Sequence, residues 1–243
     1  VSETAANTEN LKVRFDEIKR RVAETALRAN RKPEEIKLIP VSKTHPAAVL
    51  REAIAAGINC FGENKVQEAE GKIAELGREN LEWHLIGHLQ ANKARKAVGL
   101  FDVIHTLDSI ELAQRLERIC EEEERPELAV LAQVDLAGEE TKAGISEKDL
   151  PQLVEFLQSC KYLRFKGLMI LPPYFENAED VRPCFRRLRV IRDELAKENA
   201  FAGVTGELSM GMTHDFEIAV EEGATMVRVG TAIFGERKVS PPS

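Results

Sequence analysis

The sequence predicts an α/β protein, a single (β/α)8 barrel of the TIM type preceded by one extra helix. Three observations carry that expectation. Eight short apolar runs rich in β-branched residues alternate with longer amphipathic stretches, as strands and helices alternate around a parallel sheet. The spacing is regular: Ile36 to Met226 is 190 residues across seven intervals, about 27 per strand–helix unit, ordinary for such a barrel. A doubly wound open sheet is the competing arrangement, but it normally carries G-x-G-x-x-G after its first strand, and this chain has no such pattern.

The elements follow in chain order. Residues 7–30 read as a helix with Leu11, Phe15, Ile18 and Val22 on one stripe, suited to cover the side or bottom of the barrel. The strands are expected at 36–42, 58–62, 81–87, 101–107, 128–136, 163–171, 206–210 and 225–230. Several are apolar almost throughout, as strands buried on both faces must be. Pro46 and Gly57 bracket the first barrel helix, and Val66, Ala69, Ile73 and Leu76 recur at helical spacing before Gly77. Asp108 with Glu111 resembles a capping pair, Ser146 with Asp149 forms an S-x-x-D start, and Thr213 is placed to cap a short helix ending at Gly223. Val181, Phe185, Leu188 and Leu195 mark a longer helix between the last two of these. With no linker, repeat or low-complexity segment, residues 1–243 are expected to form one domain, its barrel spanning about 36–237.

Composition narrows the function. The formal net charge is −7 and 43% of residues are hydrophobic. A dedicated nucleic-acid surface draws its affinity from cations against phosphates, so that class is disfavoured; a single local anion site is not. No run approaches a membrane span, and the N-terminal stretch has neither the basic nor the apolar region of a signal peptide. Cysteines at 60, 120, 160 and 184 form no C-x-x-C and no tight framework, which suits a reducing compartment. A cytoplasmic protein is expected.

Barrel ligands bind at the C-terminal ends of the strands, so polar residues there matter most. Lys43 directly follows the first strand. Burial disfavours the charged form of a lysine, and a neutral amine can attack an aldehyde; the plainer reading of position alone is a surface lysine in a loop. GELSMGMTHDF places Ser209 and Gly211 after the seventh strand, and MVRVGTAIFGE places Gly230 and Thr231 after the eighth. Those two loops are the usual phosphate site of a barrel, although either could simply be a tight turn. Arg228 lies two residues before Gly230, on the same side of its strand. The pair His84 and His88 lacks an HExxH context and any supporting Cys/His cluster, so no metal site is expected. His84 and Asn64 are candidates to line the pocket, with packing an equal role for His84.

Taken together, Pro40–Thr44 (PVSKT), FGENKVQE, EWHLIGHLQANK, KGLMIL, LSMGM and MVRVGTAIFG resemble the pyridoxal phosphate homeostasis protein family, itself similar to the barrel domain of alanine racemase. The match runs in order from about residue 9 to 237; Ala91 and Thr213 stand where serine is common. The resemblance implies an alanine-racemase-like barrel with pyridoxal 5′-phosphate (vitamin B6) as a Schiff base on Lys43. Ser209, Gly230 and Thr231 map onto the phosphate cradle and Arg228 onto the partner of the pyridine nitrogen. It also implies a role in homeostasis of the cofactor. A chain with no length left for a racemase's second domain is expected to be non-catalytic and monomeric, with apo-enzymes that use the cofactor as candidate recipients. Two other functions compete: an amino-acid racemase, for which Tyr174 is the one credible rim acid/base, and a barrel holding some other phosphorylated metabolite.

Overall fold

The computed structural model describes residues 3–136, 143–203 and 205–235. In chain order they form α1 (Glu3–Arg28), β1 (Lys37–Pro40), α2 (Ala47–Ala55), β2 (Cys60–Glu63), α3 (Val66–Leu76), β3 (Glu82–Leu85), α4 (Ala94–Leu100), β4 (Val103–Leu107) and α5 (Ile110–Glu122). There follow β5 (Leu128–Asp135), β6 (Ile145–Ser146), α6 (Leu150–Ser159), β7 (Leu163–Met169), α7 (Arg182–Lys197), β8 (Glu207–Ser209), α8 (Phe216–Glu221), β9 (Met226–Val229) and α9 (Thr231–Phe234). The barrel limit expected at 237 lies outside the described residues.

All strand pairs are parallel, in the order β1-β9-β8-β7-β5-β4-β3-β2. The ring closes through a bridge between Val41 and Gly62, where the Ser42 amide donates to the Gly62 carbonyl at 3.0 Å. Each expected strand is present, so the expected sixth, seventh and eighth are β7, β8 and β9. The short β6 was not expected; it pairs with β5 outside the ring.

Burial on both faces explains the strand composition: every residue of β2, β4 and β9 is buried. Outward side chains such as Phe61, Trp83, Leu85 and Ile104 meet Leu116, Leu153 and Leu188 from the helices in one core. Two small apolar clusters, Ile39 with Cys60 and Met226, and Val103 with Leu131 and Met169, are set apart from it. Buried with them are polar residues, His84, His105, Ser209 and Arg228.

Helix α1 lies along the side of the barrel against α2, α8 and α9. Leu11, Ile18, Val22 and Ala26 are buried there, while Phe15 is only partly so. Each large side chain in that stripe contributes about 1.5–3 kcal/mol. Arg14 Nε adds a bond to the Ile233 carbonyl at 2.7 Å.

The helix starts differ in detail. Ser109, not Asp108, caps α5: its hydroxyl accepts the Leu112 amide at 3.3 Å, and Asp108 pairs with His88 instead. Residue Asp215, not Thr213, holds the N-cap position of α8. Its carboxylate reaches back to the Met212 amide at 2.6 Å, which ties down the loop and leaves Thr213 exposed.

Candidate functional site

A cavity of about 470 Å³ opens at the C-terminal ends of the strands. Lys43, Asn64, Gly87, Thr213, Arg228, Gly230 and Thr231 are among its lining residues. A second cavity of about 450 Å³ lies outside the ring between α6 and α7. Among the described residues, glutamates, Gln158 and apolar side chains line it, with no cation, hydroxyl or thiol, so the chemistry belongs to the mouth of the barrel.

Lys43 is half-buried between Ser42, which is fully buried, and Thr44, whose φ of 68° lies in the left-handed region. That conformation is costly for a β-branched residue and needs outside support. The support comes from across the chain. The Thr44 amide donates to the Glu68 carboxylate, and Lys72 Nζ donates to the Ser42 carbonyl at 2.8 Å. Lys72 also meets Glu63 Oε1 at 2.6 Å, and the Ser42 hydroxyl donates to that same oxygen at 2.6 Å. Glu63 and Lys72 are both buried, and burial pushes the Glu63 carboxyl above its ordinary range despite Lys72. A buried ion pair thus clamps the segment that presents Lys43.

On the opposite wall, Gly211 has φ +92° and a Cβ there would fall 2.5 Å from the Ala219 Cβ. Only glycine lets this loop bend onto α8 and carry Met212, Thr213 and His214 over the cavity. Gly87 is constrained by approach rather than angle, since its Cβ would lie 2.2 Å from the Asn64 carbonyl oxygen. After β9, Gly230 and Thr231 open α9, whose leading amides have no acceptor inside the helix.

Arg228 is 2% exposed. Its Nη1 donates to Ser209 Oγ at 2.6 Å and its Nη2 to the Ile170 carbonyl at 2.9 Å. Burial lowers its pKa to about 10, so the guanidinium remains charged near neutrality.

Four of the five residues singled out from sequence, Lys43, Arg228, Gly230 and Thr231, line this one cavity. Ser209 does not line it. Its side chain is wholly buried, and its hydroxyl is engaged by Arg228 and by His105 Nδ1 at 2.9 Å. Thr213 and His214, farther along the same loop, line the cavity instead. Asn64 lines the cavity as expected, whereas His84 is buried against His105, and His88 takes the place at the wall. Sequence reading missed Glu63, Lys72 and His105. An i,i+4 pattern linking Glu68 to Lys72 was visible, but on an amphipathic helix it reads as a surface pair.

The chain matches the family of the alanine racemase N-terminal domain over residues 13–238. It is 44% identical to the pyridoxal phosphate homeostasis protein of Aquifex aeolicus, across 93% of this chain and 97% of that one. PipY of Synechococcus elongatus, solved with PLP bound, is also 44% identical, with a TM-score of 0.73 over 88% of this chain and 100% of its own. Alanine racemase of Corynebacterium glutamicum shares the fold, with a TM-score of 0.68 at 17% identity, over 99% of this chain and 64% of its own. At this identity and coverage, the chain belongs to the pyridoxal phosphate homeostasis protein family, on the barrel of the alanine racemase N-terminal domain.

Proposed function

We propose that this protein binds pyridoxal 5′-phosphate as a Schiff base on Lys43 and serves intracellular homeostasis of that cofactor without catalysing amino-acid chemistry. One observation carries the reading: Lys43 and Arg228 line the same cavity, with the Gly230–Thr231 turn beside them. The donor set fits the group. An amine can condense with the aldehyde, a guanidinium can donate to the ring nitrogen, and a hydroxyl with leading helix amides can hold a phosphate. A volume of about 470 Å³ is within the usual range for a small-molecule site. PipY, 44% identical, was solved with PLP bound, which supports carrying the ligand over. When bound, the cofactor would supply an electron sink. Arg228 donates and does not surrender a proton, so the ring nitrogen stays unprotonated and that sink stays weak. The same reading takes the chain as one cytoplasmic, monomeric domain that can supply apo-enzymes.

The purified protein mixed with pyridoxal phosphate should show a visible absorption band that borohydride removes. With no band, the reading fails. Activity is tested separately, by deuterium exchange at Cα of alanine and other amino acids in D2O. Exchange should stay near that of the free cofactor; rates on the order of 1 per second or faster would favour a racemase, above all if Tyr174→Phe abolished them. Tyr174 is 78% exposed with its ring against His214 at the rim, so it has the access such a role needs.

The phosphate is assigned to Gly230 and Thr231, with Ser209 acting from below through Arg228. Thr231→Ala should weaken pyridoxal phosphate by about 1.5–3 kcal/mol and leave unphosphorylated pyridoxal unaffected. Ser209→Ala should weaken both ligands alike. If Ser209→Ala is the variant that erases the preference for the phosphorylated form, the cradle includes Ser209 directly.

A further inference from the structure

A line of polar side chains crosses the interior of the barrel below the cavity. Arg228 Nη1 donates to Ser209 Oγ at 2.6 Å, and that oxygen lies 2.9 Å from His105 Nδ1. His105 Nε2 is 2.8 Å from His84 Nδ1. His84 Nε2 then lies 3.1 Å from Glu82 Oε1, a close polar contact too bent for a hydrogen bond. Lys37 Nζ sits on both Glu82 oxygens at 2.7 and 2.8 Å. Ser209, His105 and His84 are 0% exposed, whereas the Glu82 and Lys37 side chains are 37% and 41% exposed. Lys37 and Glu82 begin β1 and β3, so the line starts beneath the mouth and reaches water at the other end of the barrel.

Hydrogen accounting gives the line a direction. Suppose Ser209 O–H donates to His105 Nδ1 and His105 Nε2–H to His84 Nδ1, so that the His84 Nε2–H faces Glu82. Each of the two hydrogen-bonded links then has one donor and one acceptor, and the His84 Nε2–H faces the Glu82 carboxylate, while both rings stay neutral. Burial, with the Arg228 charge nearby, holds His105 well below its ordinary pKa, in keeping with a neutral ring. The reverse direction fails twice. Ser209 Oγ would receive from both Arg228 and His105, leaving its own hydrogen without a place in the line. The bare Nε2 lone pair of His84 would face the Glu82 carboxylate.

We propose that Ser209, His105, His84 and Glu82 are positioning residues of one directional polar chain, hydrogen-bonded from Ser209 to His84 and ended by the His84–Glu82 contact. It holds Arg228 toward the ring nitrogen of the cofactor and takes its direction from the Glu82–Lys37 pair at the base. The proposal rests on pyridoxal phosphate as the ligand. It also excludes a metal ion on Cys60, Glu82 and His84, whose ligand atoms lie within 4.8 Å of one another, because a metal would need the His84 Nε2 lone pair.

The test reads the histidine tautomers directly. The chain has five histidines, few enough to resolve by two-bond 1H–15N correlation in the labelled wild-type protein. His84 and His105 should both carry hydrogen on Nε2 and none on Nδ1. Hydrogen on Nδ1 of either ring, or a bare His84 Nε2, overturns the proposal. The spectra are taken with and without pyridoxal phosphate, and the visible band reports binding separately. A failure of the ligand assignment is thereby told apart from a failure of the chain. Variants at the base then test reach. With cofactor labelled at the ring nitrogen, Glu82→Leu should move its 15N shift and weaken binding roughly ten-fold, the worth of one hydrogen bond to a charged group. Glu82→Gln keeps an acceptor for His84 and should restore both readings. A folded Glu82→Leu protein with an unmoved ring-nitrogen shift would overturn the proposal; if that variant does not fold, the wild-type tautomers still decide.

Discussion

Lys43→Ala is expected to lose the visible absorption band and the borohydride-stable pyridoxyl adduct together. Reduction of the wild-type protein, digestion and mass spectrometry should place the adduct on Lys43. The expectation comes from what the other lysines are doing. Lys72 is buried with its ammonium committed to Glu63, Glu68 and the Ser42 carbonyl, and Lys37 sits on Glu82 at the base of the barrel. Lys65 and Lys93 line an adjoining cavity rather than this one. Among the described residues, Lys43 is the lysine on the wall shared with Arg228 and Gly230. A main adduct on any other lysine would sink the assignment, whatever the affinity of the alanine variant.

Lys72→Met should produce the largest loss of stability. It strands Glu63, a carboxylate with no exposed surface whose Oε2 already lacks a partner. Breaking a buried pair from one side typically costs about 3–5 kcal/mol, and denaturant unfolding would read it. Glu63 can take up a proton, which its raised pKa favours, so the cost should fall as pH is lowered. Adding Glu63→Leu should recover most of the stability, because an apolar pair tolerates the dry site. It should not recover the affinity for pyridoxal phosphate, since the Ser42 carbonyl and hydroxyl have lost their partners and Glu68, which holds the Thr44 amide, has lost Lys72. A double variant that binds as tightly as wild type would show that the ion pair serves stability alone. A Lys72→Met loss below about 1 kcal/mol would instead place the pair among those of little worth to stability.

Local pattern made much of this protein legible. Period and punctuation located each strand, Gly77 and Gly57 ended helices where expected, and strand ends placed Lys43, Gly230 and Thr231 at the mouth. These features depend on residues within a turn or two of one another, so the order of residues suffices. The same reasoning misplaced caps where two polar residues competed. Asp108 and Ser109 are neighbours, and only the geometry at the helix start selects Ser109. It also put Ser209 at the rim, because counting along a loop does not say how deep a strand end sits in the ring.

By itself the sequence determined the barrel class, the run of elements and the chemistry available at the strand ends, since hydrophobic period and turn residues act locally. The tertiary structure alone decided which polar groups meet. Lys72 reaches Ser42 from 30 residues away, and His105 reaches Ser209 across 104. No local pattern encodes those pairs. They arise because closure of eight parallel strands turns distant side chains into the same dry interior, where an unpaired hydrogen-bonding group is costly enough that most find a partner.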